Sequence, residues 1–531
     1  MSRQEGAGRE TTMDMHVPAQ AEAPRLLTDA QIRQFLANGY LVLQTALPKS
    51  FHDQIFQRFD DLIGADRHEN PGNNLLPLVP EINAVFEDAV VKGALTSVLG
   101  PDYIMHPHRA LHKNPPGSPI QNWHKDSYWG YMRRVRNHRP RWVMIMYYPQ
   151  DTPAELGPTG VVPGSHLLAA GIQDPDALEK NGSGPAGSVL MIHYDIWHRK
   201  MKNLTADKRF MMKFEFIRMA PVEAPAWPHG DPAWRAPEQA PSFAMEAAWK
   251  AHWRWLTGGT AAGGTADPDA LRAALAGTPA QAAAAMSTIA DLGPSAAALV
   301  PALLPHLDGD DEALQLDAAY ALGAIGEAAL PSLLQRVEAD TRRDPEDGSN
   351  KSDAGRLTPK DCVALSAIYG LVEVGGPAVP ELLRLLRGGA GRSRKFAAFA
   401  LGEIAGTGPE VRDALVAATR DPDPHLRIAA VEALGLKPAD DVIVAALARA
   451  LDDADAEVRF DAVLGLTRMG PAAAAAVPAL GRVLTDDPNR YVRGYAVEAL
   501  SRIGDDAAHR VLLPYLRLSR WCPMTTSASI F

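Results

Sequence analysis

The strongest constraint on this chain is a motif that returns. Asp317 to Gly326, read Asp-Ala-Ala-Tyr-Ala-Leu-Gly-Ala-Ile-Gly, is echoed by Phe396 to Gly406, by Val458 to Gly470, and by Val492-Arg493 leading to Gly504. The closing glycines Gly293, Gly326, Gly375, Gly406, Gly470 and Gly504, with Leu436 near the intervening turn, recur mostly every 31 to 34 residues. A unit of that length cannot bury its apolar side alone, so the pattern predicts a stack of helix pairs, an α-solenoid, over 266–515. One interval, Gly326 to Gly375, is 49 residues long, and its excess falls in a polar insertion around 340–358. The recurring Val-Arg and Asp positions read as repeat architecture.

A chain of 531 residues is too long for one core, and its first half has a different texture. Thr28 with Gln31 three residues on is a capping box, Ile32, Phe35 and Leu36 form an apolar helical face, and Gly39 closes the helix before a strand at Tyr40–Leu43. Helical patterns follow at 51–64 and 80–99. From about 104 the signals become strands separated by Pro/Gly turns. Trp142 to Tyr148 is a continuous apolar run, as expected of a strand covered on both sides. Phe210 to Phe216 alternates, with Phe210, Met212, Phe214 and Phe216 on one face and Lys213 and Glu215 on the other. Helices followed by many short strands predict an antiparallel barrel or jelly roll with a helical flank.

Within this half, His124-Lys125-Asp126 offers an imidazole and a carboxylate that one metal ion could take together. The spacing alone is weak, since His193/Asp195, His229/Asp231 and His306/Asp308 share it. His193/Asp195 reads as a strand end and turn, His229/Asp231 lies in a Pro- and Trp-rich connector, His306/Asp308 lies in a repeat, and His166 follows a Pro-Gly-Ser turn as a structural histidine would.

Context separates the first pair from the others. Leu27-Thr28-x-x-Gln31 with Gly39-Tyr40, Lys113-x-Pro115-Pro116-Gly117, Trp123-His124-Lys125-Asp126, Gly157-Pro158 leading to Pro163-Gly164-Ser165-His166, Trp197-His198, Asn203 and Arg209 resemble, in that order, the phytanoyl-CoA dioxygenase family. The resemblance covers roughly 25–220. It implies a double-stranded β-helix and a non-haem Fe(II) oxygenase that uses 2-oxoglutarate and O2. It implies His124, Asp126 and His198 as the 2-His-1-carboxylate metal set, which fills three positions and leaves three open. Arg209 then matches the residue that pairs with the far carboxylate of 2-oxoglutarate, for which a planar guanidinium suits, and Lys113 matches a weaker contact. Related halogenating enzymes carry a small residue in place of the carboxylate, so Asp126 points to hydroxylation, with desaturation or ring formation as alternatives. The C-terminal pattern resembles short HEAT repeats of the phycobilisome-lyase-like kind.

Trp123, Tyr128 and Trp129 are candidate pocket residues, or simply core aromatics. Five arginines fall between Arg133 and Arg141. They read either as a solvated basic loop or as a rim, with Arg133 and Arg136, that attracts an anionic substrate.

The expected order is a disordered leader at 1–24, an oxygenase domain at 25–220, a connector with a Trp-rich helix and a Gly-rich linker at 221–265, the repeats at 266–515 and a tail at 516–531. Net charge of −10 and a pI near 5.9 argue against nucleic-acid binding. Two cysteines, Cys362 and Cys522, leave no disulfide framework, and no run of about eighteen unbroken apolar residues suggests a membrane span. The expectation is a cytoplasmic enzyme acting on a small-molecule or carrier-bound substrate, with the repeats binding a protein partner or mediating self-association. Two alternatives remain: a HEAT-repeat adaptor whose barrel is non-catalytic, and an oxygenase acting on a protein that the repeats recruit.

Overall fold

The computed structural model describes residues 22–63, 71–126, 133–241, 243, 245–260, 263–340, 342, 357–406 and 408–518. The first helix, Asp29–Asn38, begins on the expected capping box: Thr28 Oγ1 accepts from the Gln31 amide, and Gln31 Oε1 accepts from the Thr28 amide. It ends at Gly39, whose φ of 76° is left-handed. A Cβ there would meet His166 Nδ1 at 2.5 Å, so both conformation and space require glycine. The expected helix over 51–64 is Lys49–Ile63. The pattern over 80–99 is not one helix. It breaks at Asp88, whose carboxylate caps the Val90 and Val91 amides and starts a separate helix, Ala89–Leu99.

Eight strands follow among the described residues: β1 (Tyr40–Gln44), β2 (Tyr103–Asn114), β3 (Trp142–Tyr147), β4 (Thr159–Val161), β5 (Lys180–Asn181), β6 (Ser188–His193), β7 (His198–Lys200) and β8 (Arg209–Arg218). The larger sheet runs β1-β6-β3-β8-β2 and the smaller β5-β4-β7, with every pairing antiparallel. Strand alternation sorts the larger sheet into two faces. Val143, Ile145 and Tyr147 with Met212, Phe214 and Phe216 pack on Phe51, Ile55, Phe59 and Phe86 of the helical flank. Met144, Met146 and Met211 belong to the opposite face. Lys213 and Glu215 are buried there as well, so the polar side of the alternating strand faces the interior and not solvent.

The repeat region is helical throughout its described length, in the stacked arrangement its period predicts. Its inner helices are Pro279–Leu292, Glu312–Ile325, Pro359–Val374, Ser393–Glu403, Pro424–Gly435, Ala456–Met469 and Arg490–Ile503, each packed on the next. A Cβ on Gly435 would lie 2.9 Å from the Gly465 Cα, so the recurring Leu-Gly step lets neighbouring helices approach. The recurring arginines form a ladder between repeats: Arg394 pairs with Asp421, Arg427 with Asp453, and Arg459 with Asp487. Among the described residues, two helical stretches, Pro279–Leu307 and Ala456–Asp486, are long and apolar enough to cross a membrane by length and composition; 44% and 56% of their apolar windows are buried within the protein.

The two halves share a core. One continuous apolar cluster runs from Met144, Leu190 and Tyr194 of the sheet domain through Trp249 on the helix Glu246–Thr257 and into the repeats. That helix, expected as part of a connector, starts with its Ala247 and Ala248 amides donating to Asp317 of a repeat helix.

Most of the described part of the arginine-rich loop 133–141 is neither solvated nor a pocket rim. Arg133 pairs with Asp455, Arg134 with Glu432 and Asp461, and Arg139 and Arg141 both with Glu403. Opposite charge on the inner helices draws the loop in, and burial keeps water from screening the pairs. His138 stacks on Tyr369 with ring centroids 3.7 Å apart.

Candidate metal centre and its cavity

His124, Asp126 and His198 converge: one donor atom from each lies within 4.8 Å of the others. His198 opens β7. His124 reaches it through a single antiparallel bridge, with the two residues exchanging amide hydrogen bonds at 3.1 and 3.0 Å. The His-x-Asp segment is therefore an irregular strand edge, held to β7 by one bridge. Asp126 Oδ1 lies 3.8 Å from His124 Nε2, and Asp126 Oδ2 lies 3.8 Å from His198 Nε2.

Each imidazole uses Nδ1 on a backbone carbonyl, that of Asn122 for His124 and that of Ile196 for His198, at 3.0 and 3.1 Å. This leaves Nε2 of both turned to the carboxylate, the tautomer a metal requires. Burial lowers His198 to about 4, which keeps its ring neutral. Burial works to raise the Asp126 carboxyl, but Lys213 and the two imidazoles outweigh it and hold it well below the usual range.

Lys213 is the residue the sequence reading passed over. Its Nζ donates to Asp126 Oδ2 at 2.8 Å from the centre of β8. The signal was present in the alternation, which put Lys213 opposite a face of four large apolar side chains. Beyond it, Glu215 is buried with its Oε1 3.8 Å from Lys213, and burial pushes its carboxyl up to about 8.

A cavity of about 90 Å³ adjoins the three donors, lined also by Lys113, Lys200, Arg209 and Lys213. Arg209 is fully buried. Its Nε donates to the Gly157 carbonyl at 3.1 Å, while Nη1 has no partner among the described residues. A buried guanidinium nitrogen without an acceptor costs free energy that a bound carboxylate would recover. Lys113 borders the same cavity and touches the Ile63 carbonyl at 3.4 Å.

The other candidates lie elsewhere. Trp123 is outside the cavity lining; its indole donates to Asp176 and Arg199 lies over its ring at 4.2 Å. Tyr128 and Trp129 lie outside the described residues. Arg133 is turned to Asp455, away from the cavity. Arg136 is near the site without lining it: it pairs with Asp195 and donates to the backbone carbonyl of Asp126 at 3.3 Å. Asp195 is thus linked through Arg136 to the Asp126 carbonyl, and His193 accepts from the Asp195 amide at the end of β6. His166 has a structural contact, its Nε2 donating to the Leu36 carbonyl at 3.2 Å.

The sheet-rich N-terminal domain, with its antiparallel strands, is oxygenase-like. Residues 24–211 match the phytanoyl-CoA dioxygenase (PhyH) family, and residues 379–443 and 443–521 match HEAT repeats. No curated protein matches the chain. Among solved structures, the non-haem alpha-ketoglutarate-dependent carbocyclase SnoK from nogalamycin biosynthesis aligns at 14% identity over 37% of this chain and 88% of its own, TM-score 0.31. EctD from S. alaskensis with 2-oxoglutarate and 5-hydroxyectoine aligns at 18% over 43% and 92%, TM-score 0.31. HygX from Streptomyces hygroscopicus with iron bound aligns at 16% over 38% and 90%, TM-score 0.30.

Proposed function

We propose that this protein is an Fe(II)- and 2-oxoglutarate-dependent dioxygenase that hydroxylates an unactivated C–H bond of a small-molecule or carrier-bound substrate, releasing succinate and CO2. The observation that carries the reading is one cavity lined at once by His124, Asp126 and His198 and by Arg209, a buried arginine whose Nη1 has no acceptor among the described residues. His124, Asp126 and His198 would hold the iron, and Arg209 the far carboxylate of the cosubstrate. Bound iron supplies the redox chemistry that couples oxidative decarboxylation of a 2-oxo acid to oxidation of a C–H bond.

The chain's own groups prepare that chemistry. Carbonyls at Asn122 and Ile196 fix both imidazoles, and Lys213 fixes the carboxylate. Met146 and Met211 give the wall a water-poor surface, where a charge pair between Arg209 and a carboxylate is strongest. The cytoplasm is the compartment we assign, since two cysteines are too few for a disulfide framework. We assign the oxygenase domain to 25–220. The helix within 221–265 acts as the seam to the repeats at 266–515.

The repeats serve as the oxygenase's outer wall, because their inner face is taken by the loop 133–141; a protein partner or self-association would use the outer helices. Anaerobic titration with Fe(II) and 2-oxoglutarate tests the assignment. The wild-type protein should develop a metal-to-ligand charge-transfer band and, on admission of air, form succinate. His124→Ala and Asp126→Ala should lose both. Failure of the wild-type protein to bind either iron or 2-oxoglutarate would falsify the oxygenase reading.

A further inference from the structure

One buried acid has no part in the chemistry above. Glu215 is fully enclosed, and among the described residues neither of its carboxyl oxygens has a hydrogen-bond partner. Two groups come near: Lys213 Nζ lies 3.8 Å from Oε1, and His106 Nδ1 lies 3.6 Å from Oε2. The His106 nitrogen does not donate to the acid, because it already accepts the His108 amide at 2.8 Å. On the repeat side, Tyr495 and Phe460 pack against the His106 ring, with centroids 5.4 and 5.7 Å away, and keep this end of β8 dry. Burial therefore dominates and pushes Glu215 up to about 8, with Asp126 adding to the rise and Lys213 opposing it. A carboxyl left without partners costs free energy that a second, paired state would recover.

Lys213 supplies that second state. Its ammonium stands between two carboxyls, donating to Asp126 Oδ2 at 2.8 Å and lying 3.8 Å from Glu215. Of the two, Asp126 is held ionised and Glu215 neutral. A divalent cation on Asp126 reverses this balance. It takes up the charge that Lys213 now answers, repels the ammonium, and cancels the Asp126 field that helps to keep Glu215 protonated. A buried ammonium needs a counter-ion, and Glu215 is the second carboxyl within its reach.

Resting on the metal centre of the reading above, we propose that Glu215 is a positioning residue: when His124, Asp126 and His198 hold a divalent cation, Glu215 releases its proton to solvent and takes over Lys213. The O–H bond breaks heterolytically and Lys213 stays an ammonium throughout, so the charge of the enclosed site rises by one unit and not by two. Glu215 makes no hydrogen bond or ion pair with the three donors and acts through Lys213. Because binding releases a proton, cation affinity rises with pH up to about 8, where Glu215 is already ionised, and levels off beyond.

The test uses the full chain at pH 7 with Zn(II) alone, a redox-inert cation. The infrared difference spectrum between zinc-bound and zinc-free protein should lose the C=O band of one protonated carboxyl and gain carboxylate absorption. Glu215→Gln, a neutral amide in place of a neutral acid, should show neither change and should bind Zn(II) about tenfold more weakly, since Lys213 then has no second carboxylate to turn to. Lys213→Met should keep the protonated band when Zn(II) binds, because no ammonium calls for the charge. Wild-type protein that binds Zn(II) and keeps its protonated band overturns the inference, as does the same band loss in either variant. If a variant fails to fold, the wild-type spectrum still decides. Wild-type protein that binds no Zn(II) refutes the metal centre itself, and the dioxygenase reading with it.

Discussion

Tyr369, on a repeat helix, donates its hydroxyl hydrogen to the backbone carbonyl of Arg136 at 2.7 Å. Arg136 in turn donates to the backbone carbonyl of Asp126 at 3.3 Å, so two hydrogen bonds join the repeats to a candidate metal ligand. A second route reaches the preceding residue: buried Lys125 donates to the Ser165 carbonyl, and the amides of Ala169 and Ala170 in the same loop donate to Glu312 of another repeat helix at 2.7 and 2.8 Å.

Tyr369→Phe removes the first link without changing shape. Stability should fall by about 1 kcal/mol, the net worth of one hydrogen bond. The Co(II) dissociation constant, read by anaerobic titration of the d–d spectrum, should rise several-fold. An unchanged constant would show that the repeats do not position Asp126.

Glu403 is buried and accepts from Asn137, Arg139 and Arg141 at 3.0, 2.8 and 2.9 Å. Burial acts to raise its carboxyl, but the two guanidiniums dominate and lower it to about 2. Glu403→Ala leaves two cations without their acceptor, and loss of one partner of a buried pair costs about 3–5 kcal/mol. Chemical denaturation should register a drop of that size; a loss below about 1 kcal/mol would mean the loop relaxes into water.

Removing 266–531 should yield insoluble protein and not a free-standing oxygenase, because Met144, Tyr194 and Trp249 pack in one apolar cluster with the repeats. Soluble, monomeric 1–265 with intact near-ultraviolet circular dichroism would contradict the shared core.

The seam also carries buried histidines. Burial lowers His193 to about 4 and His252 to about 3, and His252 Nε2 lies 3.2 Å from the Tyr320 hydroxyl. Both folded values lie below the 6.5 of an unfolded histidine, so between about pH 6.5 and 4 the unfolded chain takes up protons that the folded one refuses. Their contribution to stability is complete above pH 6.5 and is lost as pH falls toward 4. The melting temperature of His252→Gln should therefore depend less steeply on pH across this window than that of wild type, and parallel slopes would exclude the assignment.

Much of the architecture was legible because the signals are local. The Thr28/Gln31 box, the left-handed Gly39, the alternation along β8 and the glycines closing the repeat helices each follow from a few neighbouring residues and the backbone's own geometry. The order of landmarks around His124 and Asp126 likewise marked the segment that carries the candidate site. The break at Asp88 was harder to see, since an aspartate within an apolar helical pattern only becomes a cap once the chain turns there.

What sequence order left open was where charge goes. Five clustered arginines look the same in sequence whether they face water, a substrate or protein. Arg134 meets Asp461 across 327 residues of chain, a pairing no local spacing records. The same holds for Lys213, whose strand position fixed its face but not that this face holds Asp126. The sequence by itself determined two folds and a candidate metal-binding segment. Only tertiary packing decided that the two folds share one core and that the repeats brace the motif, because burial and ion pairing depend on distance in space and not along the chain.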